Sequence, residues 1–384
     1  MSWTITKDTV CLVTGASAGI GKETVRGLAE RGATVLMAGR NPQRTEAVAR
    51  ELRRTTGNPR ISHHIADFSS LDEVRGLAAA VTERHSALNV LINNAGGWHK
   101  ERRDSHDGFE NTFAVNHLAP FLLTHLLRDR LVDSAPARVI TVSSILHSWA
   151  RRIRFEDLDY RRGSPLFGVG PYVHSKLANV LFASELARRL EGTGVTSNSL
   201  HPGNVATSVV RDSQLLSLGI QVGRLFLRTP AQGARTTLHL ATAPELQEVS
   251  GCYFADCRLR RPSRPARDED AALRLWRVSR ALCGLGGLCG LDGLGGLGDR
   301  DERPTVPPSA TEGDRYEVII RYREPVFARY AGLPVRTYEW QHKLRAADAA
   351  EAEQKGRAEF EVLRLASSVG WSRDIVEVRC RRLD

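Results

Sequence analysis

Two residues of complementary chemistry, Tyr172 and Lys176, lie four positions apart in the string Tyr-Val-His-Ser-Lys. Side chains with this spacing share one face of a helix. A lysine ammonium beside a phenol stabilises the phenolate, so the pair predicts a tyrosine whose pKa lies below its usual value of about 10. Such a tyrosine can donate and accept a proton near neutral pH. The spacing occurs by chance in many helices, so the surrounding sequence must supply the rest of a site.

A glycine-rich string, residues 14–21, directly follows an apolar run at residues 9–14. A strand followed by such a string and then a helix is the context in which a dinucleotide pyrophosphate binds at a helix N-terminus. Gly15 then allows the tight turn, Gly19 the close approach of the pyrophosphate and Gly21 the close packing of the helix. The alternative is an ordinary glycine-rich turn. The predicted phosphate-binding residues are Gly15, Ser17, Gly19, Ile20 and Gly21.

Arg40 stands at the end of the second predicted strand, where an acidic residue would bind a ribose 2′-hydroxyl. A guanidinium pairs with a 2′-phosphate instead, so Arg40 favours NADP(H) over NAD(H). The alternative is a solvated arginine at a strand end. Asp67 follows the third strand, where we expect it either to contact the adenine or to cap the helix that begins near Ser70. Asn94, Ala95 and Gly96 follow the fourth strand, and their small size would let the backbone approach the adenosine ribose.

Short apolar runs alternate with helical patterns over residues 9–255, which indicates parallel βαβ units with helices on both faces of the sheet. We therefore predict an α/β fold of the Rossmann type, doubly wound, with a seven-stranded, mainly parallel sheet whose last strand lies near residues 251–255. Residues 1–282 would form this domain.

The composition changes after residue 282, where a Gly-Leu repeat and a Pro-rich stretch predict a disordered linker over residues 283–312. Residues 313–384 form a C-terminal extension of unknown role. Within it we predict a strand over 316–322 and a helix over 339–366.

The chain of 384 residues is 41% hydrophobic and 26% charged, which is typical of globular proteins, and its net charge is +10. No nucleic-acid-binding signature accompanies this charge, which a solvated arginine-rich surface explains. The six cysteines match neither a zinc site nor a disulfide framework, so we predict no metal and a reducing compartment. No signal peptide and no transmembrane run is recognised, which predicts an intracellular protein, cytoplasmic or peripheral on a membrane.

These motifs together resemble the short-chain dehydrogenase/reductases. The motifs that carry the resemblance are Thr14-Gly-x-x-x-Gly-x-Gly21, Asn93-Asn-Ala-Gly96, Ser144, Tyr172-x-x-x-Lys176 and Pro202-Gly203, in that order. The resemblance covers residues 6–257. The strings Gly21-Lys-Glu-Thr24, Val115-Asn-His-Leu118 and His174-Ser-Lys-Leu-Ala-Asn179 are closer still to the retinol dehydrogenase and dehydrogenase/reductase branch.

The resemblance implies a catalytic tetrad of Asn116, Ser144, Tyr172 and Lys176. In the family, the tyrosine exchanges a proton with the substrate oxygen, the serine donates a hydrogen bond to it, and the lysine holds the nicotinamide ribose. The asparagine holds a helix irregularity and a water that relays protons to the lysine. Ser144 is chosen over Ser143 because the family's catalytic serine is the second of such a pair.

The resemblance also places Pro202, Gly203 and Val205 beside the nicotinamide, and Thr207 against its carboxamide. The segment 208–229 corresponds to the substrate lid, and its leucines favour an apolar substrate; an ordinary amphipathic helix or a membrane-touching patch are the alternatives. The loop at 97–103 is unusually polar for a purely lipid-like substrate.

The leading hypothesis is an NADP(H)-dependent oxidoreductase that interconverts an apolar aldehyde or ketone and its alcohol, such as retinal and retinol. The family further implies a homodimer or a tetramer. The alternative is a non-catalytic nucleotide-binding scaffold whose basic tail binds a protein partner. The complete tetrad argues against this alternative, because a retired enzyme need not keep all four residues.

Overall fold

The computed structural model describes residues 3–99, 101–161, 169–205, 228–285, 314–323, 337–366 and 374–383. The chain divides into two compact units, Met1–Gly286 and Gly287–Asp384. The predicted linker at 283–312 lies outside the described residues from residue 286 onward.

The first unit is built on one eight-stranded sheet in the order β3-β2-β1-β4-β5-β6-β7-β8. All neighbouring strands are parallel except β7 and β8, which form an antiparallel pair. The strands are β1 (Val10–Thr14), β2 (Thr34–Gly39), β3 (Ile61–Ile65), β4 (Val90–Asn93), β5 (Ala137–Val142), β6 (Val195–His201), β7 (Tyr253–Ala255) and β8 (Arg258–Arg260). This confirms the doubly wound Rossmann-type architecture.

The eighth strand corrects the predicted count of seven. The chain was expected to leave the sheet after β7, but Asp256 and Cys257 both adopt a φ of +56° and turn it back on itself. Two consecutive positive φ angles form the tight turn that matches the twist of a β-hairpin. The sequence Asp-Cys lacks the glycine that usually marks such a turn, which is why the hairpin escaped prediction.

Helices cover both faces of this sheet, so its central strands are withdrawn from water; β1, β4 and β5 are buried at every position. The helices are α1 (Gly19–Glu30), α2 (Pro42–Thr56), α3 (Leu71–Arg84), α4 (Asn111–Phe113), α5 (Ala119–Leu126), α6 (Arg128–Asp133), α7 (Val169–Arg189), α8 (Pro230–Thr242) and α9 (Glu269–Leu282). A π-helical turn, Ala114–Leu118, joins α4 to α5, and a 3₁₀ helix, Ile145–Trp149, follows β5.

The second unit contains a three-stranded antiparallel sheet in the order β10-β9-β11 and one helix. Its elements are β9 (Asp314–Arg323), β10 (Thr337–Ala346), α10 (Ala349–Ala366) and β11 (Asp374–Leu383). Tyr316, Val318 and Ile320 of β9 alternate toward the side where Phe360 of the helix packs. The helix predicted over 339–366 is therefore wrong at its start, since residues 337–346 pair along β9 instead.

Two buried histidines brace the junction of α4 and α7. The rings of His117 and His174 lie 5.0 and 6.1 Å from that of Phe113. Burial lowers the pKa of His117 to about 3 and that of His174 to about 4. The Nε2 atom of His174 accepts the backbone N–H of Arg154 at 2.6 Å, which requires a neutral ring nitrogen. Both imidazoles are therefore neutral in the folded protein at pH 7.

We expect acid to destabilise the protein through these histidines. An unfolded histidine binds a proton near pH 6.5, whereas folded His174 stays neutral down to about pH 4, so its contribution is lost as the pH falls through that window. Between pH 7 and pH 5 the free energy of unfolding should fall by about 2 kcal/mol for this residue. In His174→Gln the fall in melting temperature with pH should be shallower, and in the control His106→Gln, at an exposed position, it should match wild type. Equal slopes in all three proteins would contradict the assignment.

Candidate active site

The residues predicted to form a site gather at the carboxyl edge of the parallel strands, where open α/β sheets bind ligands. Gly15 follows β1, Arg40 follows β2 and Asn94 follows β4. Ser144 and Pro202 lie at the ends of β5 and β6. Parallel neighbours bring these ends together although the residues span most of the first unit.

The loop between β1 and α1 has the shape that a pyrophosphate requires. Gly15 has a φ of +64°, and a Cβ there would lie 2.8 Å from the Cα of Ala95. A Cβ on Gly21 would collide with the carbonyl oxygen of Gly15, so only glycine allows the helix to begin this close to the loop. Ala18, the N-cap residue of α1, gives no side-chain hydrogen bond to the first turn. The N–H groups of that turn are thus left for an anion, which fits an NAD(P) pyrophosphate.

Arg40 and Asp67 lie next to one another at the rim of this loop. Their side chains approach to 3.7 Å, and that of Arg40 is 58% exposed. The Asp67 carboxylate accepts hydrogen bonds from the N–H and hydroxyl of Ser69, at 3.0 and 2.9 Å. Ser70, not Asp67, caps α3, because its hydroxyl accepts the N–H of Glu73. Of the two roles considered for Asp67, the helix cap is therefore wrong.

Thr14 joins the loops after β1 and β4, a role that the sequence analysis missed. Its hydroxyl donates to the carbonyl of Ile92 and accepts the N–H groups of Asn94 and Ala95, at 3.0 and 2.9 Å. The Asn94 side chain donates back to the Thr14 carbonyl at 2.7 Å. Asn94 and Ala95 are therefore held against the glycine-rich loop.

Asn116 lies in the π-helical turn between α4 and α5 and is fully buried. Its side chain accepts the N–H of Gly97 at 2.8 Å and donates to the Gly97 carbonyl at 3.0 Å and to Ser175 Oγ at 2.9 Å. The extra residue of a π turn is often found at functional sites because it redirects one side chain. Here it aims Asn116 at the loop after β4, and Gly96 lies between Asn116 and Lys176.

Ser144, Tyr172 and Lys176 meet where α7 crosses the end of β5. The Ser144 side chain lies close enough to the Tyr172 hydroxyl to lower the pKa of the phenol. The Lys176 ammonium lies 5.6 Å from the centre of the Tyr172 ring and donates to the carbonyl of Val142 at 3.0 Å. Two hydroxyl groups and a cation are thus available to one small oxygen-containing ligand.

The pKa predicted for Tyr172 is wrong in direction. Burial raises the pKa of its phenol, and the neighbouring Ser144 side chain only partly opposes this effect. Burial also lowers the pKa of Lys176 to about 8. The sequence shows that the two side chains share a helix face, but not that both are withdrawn from water, which disfavours both charged forms.

Three further residues hold this cluster in place and were not identified from the sequence. The Ser143 hydroxyl donates to the carbonyl of Lys176 at 2.7 Å, and the Ser175 hydroxyl donates to that of Tyr172 at 2.8 Å. The Nε2 of His147 accepts the N–H of Ser263 at 3.2 Å, so its Nδ1 carries the proton and donates to the Ser144 carbonyl at 2.7 Å. Ser143 and His147 stand in the sequence beside predicted residues, but only their contacts reveal these roles.

The approach to Tyr172 is partly apolar. Trp98, in the loop after β4, has its ring centre 6.4 Å from that of Tyr172. The polar residue Arg102 of that loop pairs with Asp104 and donates to the carbonyl of Asp159.

The predicted nicotinamide contacts lie at the end of β6. Val205 forms an isolated bridge with Arg228, whose side chain packs against Gly203. Thr207, and residues 208–227 of the proposed lid, lie outside the described residues.

Comparison with known proteins gives a consistent result. A family model described as short chain dehydrogenase matches residues 9–151. Human retinol dehydrogenase 11 is 45% identical over 276 residues, covering 72% of this chain and 86% of that protein. Bovine retinol dehydrogenase 12 is 46% identical over 276 residues with the same coverage.

Solved structures agree with these relatives. An uncharacterized protein from Mycobacterium paratuberculosis has a TM-score of 0.59 at 33% identity, over 74% of this chain and 98% of that one. The Pseudomonas aeruginosa RhlG/NADP active-site complex has a TM-score of 0.51 at 26% identity, over 62% and 91%. The chain therefore belongs to the short-chain dehydrogenase/reductase family, in the retinol dehydrogenase branch, and is an NAD(P)-dependent oxidoreductase acting on CH–OH donors.

Proposed function

We propose that the protein interconverts an apolar aldehyde or ketone and its alcohol with NADP(H), and that Asn116, Ser144, Tyr172 and Lys176 are its catalytic residues. The observation that carries this proposal is the meeting of the Ser144 and Tyr172 side chains beside Lys176, at the sheet edge where the glycine-rich loop would hold the cofactor.

The two hydroxyl groups suit a carbonyl oxygen on which negative charge develops. The bound nicotinamide would supply the hydride to the carbonyl carbon, or accept it from the alcohol. Because burial keeps Tyr172 protonated at neutral pH, its phenol donates a proton to the substrate oxygen in the reducing direction. Ser144 donates a hydrogen bond to the same oxygen and stabilises its charge.

Lys176 and Asn116 act behind these hydroxyl groups. With a pKa of about 8, Lys176 is mostly charged at pH 7, and its field stabilises the phenolate that accepts the alcohol proton in the oxidising direction. Asn116 holds the Gly97 peptide and Ser175, and through them the wall of the site beside Lys176.

The preference for NADP(H) rests on Arg40. No carboxylate stands at its position to bind a ribose 2′-hydroxyl, and its exposed guanidinium is free to move from Asp67 toward a 2′-phosphate. Arg44 donates to the carbonyl of Ser17 at 3.1 Å and adds a second positive charge near the loop. The structurally similar RhlG was solved as a complex with NADP.

A retinoid-like substrate is supported by the relatives and by the site. The curated relatives are named retinol dehydrogenases. The Trp98 ring beside Tyr172 offers a flat apolar surface for a conjugated or hydrocarbon substrate. We place the whole reaction in residues 1–282 and regard residues 313–384 as an appended module that the reaction does not need.

Replacing Tyr172 by Phe should remove the proton donor and lower kcat by about 100- to 10,000-fold. NADPH binding, measured by fluorescence titration, should stay within about 2-fold of wild type, because the phenol contributes little of the total cofactor surface. The matched control is Tyr253→Phe, since the buried Tyr253 hydroxyl has no hydrogen-bond partner among the described residues to lose. Normal turnover of a retinal-type aldehyde by the Tyr172 variant would refute the mechanism.

Replacing Arg40 by Asp should raise the dissociation constant for NADPH by about 10- to 100-fold, the cost of losing a charge-assisted pair, and should affect NADH little. The control Arg54→Asp makes the same charge change at an exposed position near the far end of α2 and should leave both constants near wild type. Equal losses for the two cofactors in the Arg40 variant would remove it from the 2′-phosphate role.

A further inference from the structure

A cleft of about 550 Å³ in the first unit is lined by Arg151, Arg264, Pro265, Arg267 and Asp268. The cleft lies outside the catalytic cluster, but the segments that line it are connected to that cluster. Arg151 follows the 3₁₀ helix that Ser144 caps, and Ser263, next to Arg264, donates its N–H to His147 of that helix. Pro265–Arg267 form a 3₁₀ turn with Ala266 buried at its centre. The cleft is thus built from backbone held in place on both sides.

The three arginines of this cleft have no carboxylate partner among the described residues. Their neighbours along the chain differ, because Arg152, Arg154 and Arg161 each pair with an acidic side chain. The single carboxylate of the cleft, Asp268, accepts the N–H of Ala271 and caps α9. Three guanidinium groups around one concavity repel each other unless an anion lies between them, and their planar donors match phosphate oxygens.

The 3₁₀ helix that precedes Arg151 carries two exposed large apolar side chains. Trp149 is 66% exposed and Ile145 is 46% exposed; the other exposed large apolar side chains described in this unit are Ile65 at 43% and Leu126 at 37%. Exposed tryptophan next to arginine is the combination that settles at a membrane surface, where the indole enters the headgroup layer and the cations meet lipid phosphates. A small soluble phosphate ester would explain the arginines but not the exposed apolar pair.

We propose that Arg151, Arg264 and Arg267 bind the phosphate of anionic phospholipids, and that Trp149 and Ile145 insert beside them, so that the protein docks peripherally on a membrane. Among the described residues no helix is both long and apolar enough to cross a bilayer. Because the same 3₁₀ helix begins at Ser144, docking would turn the mouth of the site toward the lipid. Only this last consequence rests on the proposed function; an apolar substrate would then enter without crossing water.

The test is sedimentation of the full chain with vesicles of phosphatidylcholine, with and without phosphatidic acid. Wild type should bind the anionic vesicles more tightly, and increasingly so as salt is lowered. The triple variant Arg151→Ala, Arg264→Ala, Arg267→Ala should weaken binding by about 100-fold, at about 5-fold for each arginine. The control triple Arg50→Ala, Arg54→Ala, Arg84→Ala removes the same charge from exposed positions elsewhere and should bind within about 3-fold of wild type. Trp149→Ser should weaken binding by about 10-fold.

Three results would overturn the proposal. Equal losses in the two triple variants would mean that net charge alone attracts the vesicles. Equal binding of wild type to anionic and neutral vesicles would exclude an anionic phospholipid as the ligand of the cleft. Saturable binding of glycerol 3-phosphate that the first triple variant loses, with vesicle binding unchanged, would assign the cleft to a soluble phosphate ester. Vesicle binding needs no turnover, so a failure to bind vesicles is distinct from a failure of the proposed reaction. The first triple variant should still reduce a short water-soluble aldehyde at the wild-type rate.

Discussion

The site depends on the junction between the end of β5 and helix α7. The carbonyl of Val142, the last residue of the strand, accepts both the Lys176 ammonium and the Asn179 amide, and Ser143 donates to the carbonyl of Lys176. These bonds fix the helix along its axis and in rotation against the sheet. A shift of one helical residue would turn Tyr172 away by about 100° and leave several polar groups buried without partners, a cost of about 1–3 kcal/mol each.

Burial at this junction determines which protons are available. The same withdrawal from water raises the pKa of Tyr172 and lowers that of Lys176, so the site holds a neutral phenol beside a lysine that titrates near pH 8. Neutral His174, two residues after Tyr172, supports the helix by accepting the Arg154 N–H rather than through charge. Lys176 is the one charged side chain over residues 169–184 of α7, and its burial strengthens the effect of that single ammonium.

Arginines occupy two different electrostatic settings in the first unit. Arg40 stands at the cofactor edge beside a carboxylate that it can leave, whereas the three arginines of the cleft form no ion pair with any carboxylate of the described residues. The 3₁₀ helix after β5 connects the catalytic cluster to the proposed docking surface, since Ser144 caps it and the exposed Trp149 is its last residue. The proposed membrane contact and the Ser144 hydroxyl are thus separated by a single short helix.

The local sequence determined the architecture of the first unit and the phosphate-binding loop of this protein. The alternation of apolar runs and helices predicted the doubly wound sheet, and the Gly15–Gly21 spacing predicted the phosphate loop, because buried parallel strands and tight turns restrict residue type strongly. The family resemblance named the tetrad, and the structure brings its members to one edge of the sheet. The hairpin at Asp256 and Cys257 and the strand at 337–346 could not be predicted, since each depends on a partner strand rather than on its own residues. Only the tertiary structure decided the direction of the Tyr172 and Lys176 pKa shifts, the bond from His147 to Ser144 and the meeting of Arg151 with Arg264. These features arise between segments far apart in the chain, where burial and contact, not spacing, set the physics.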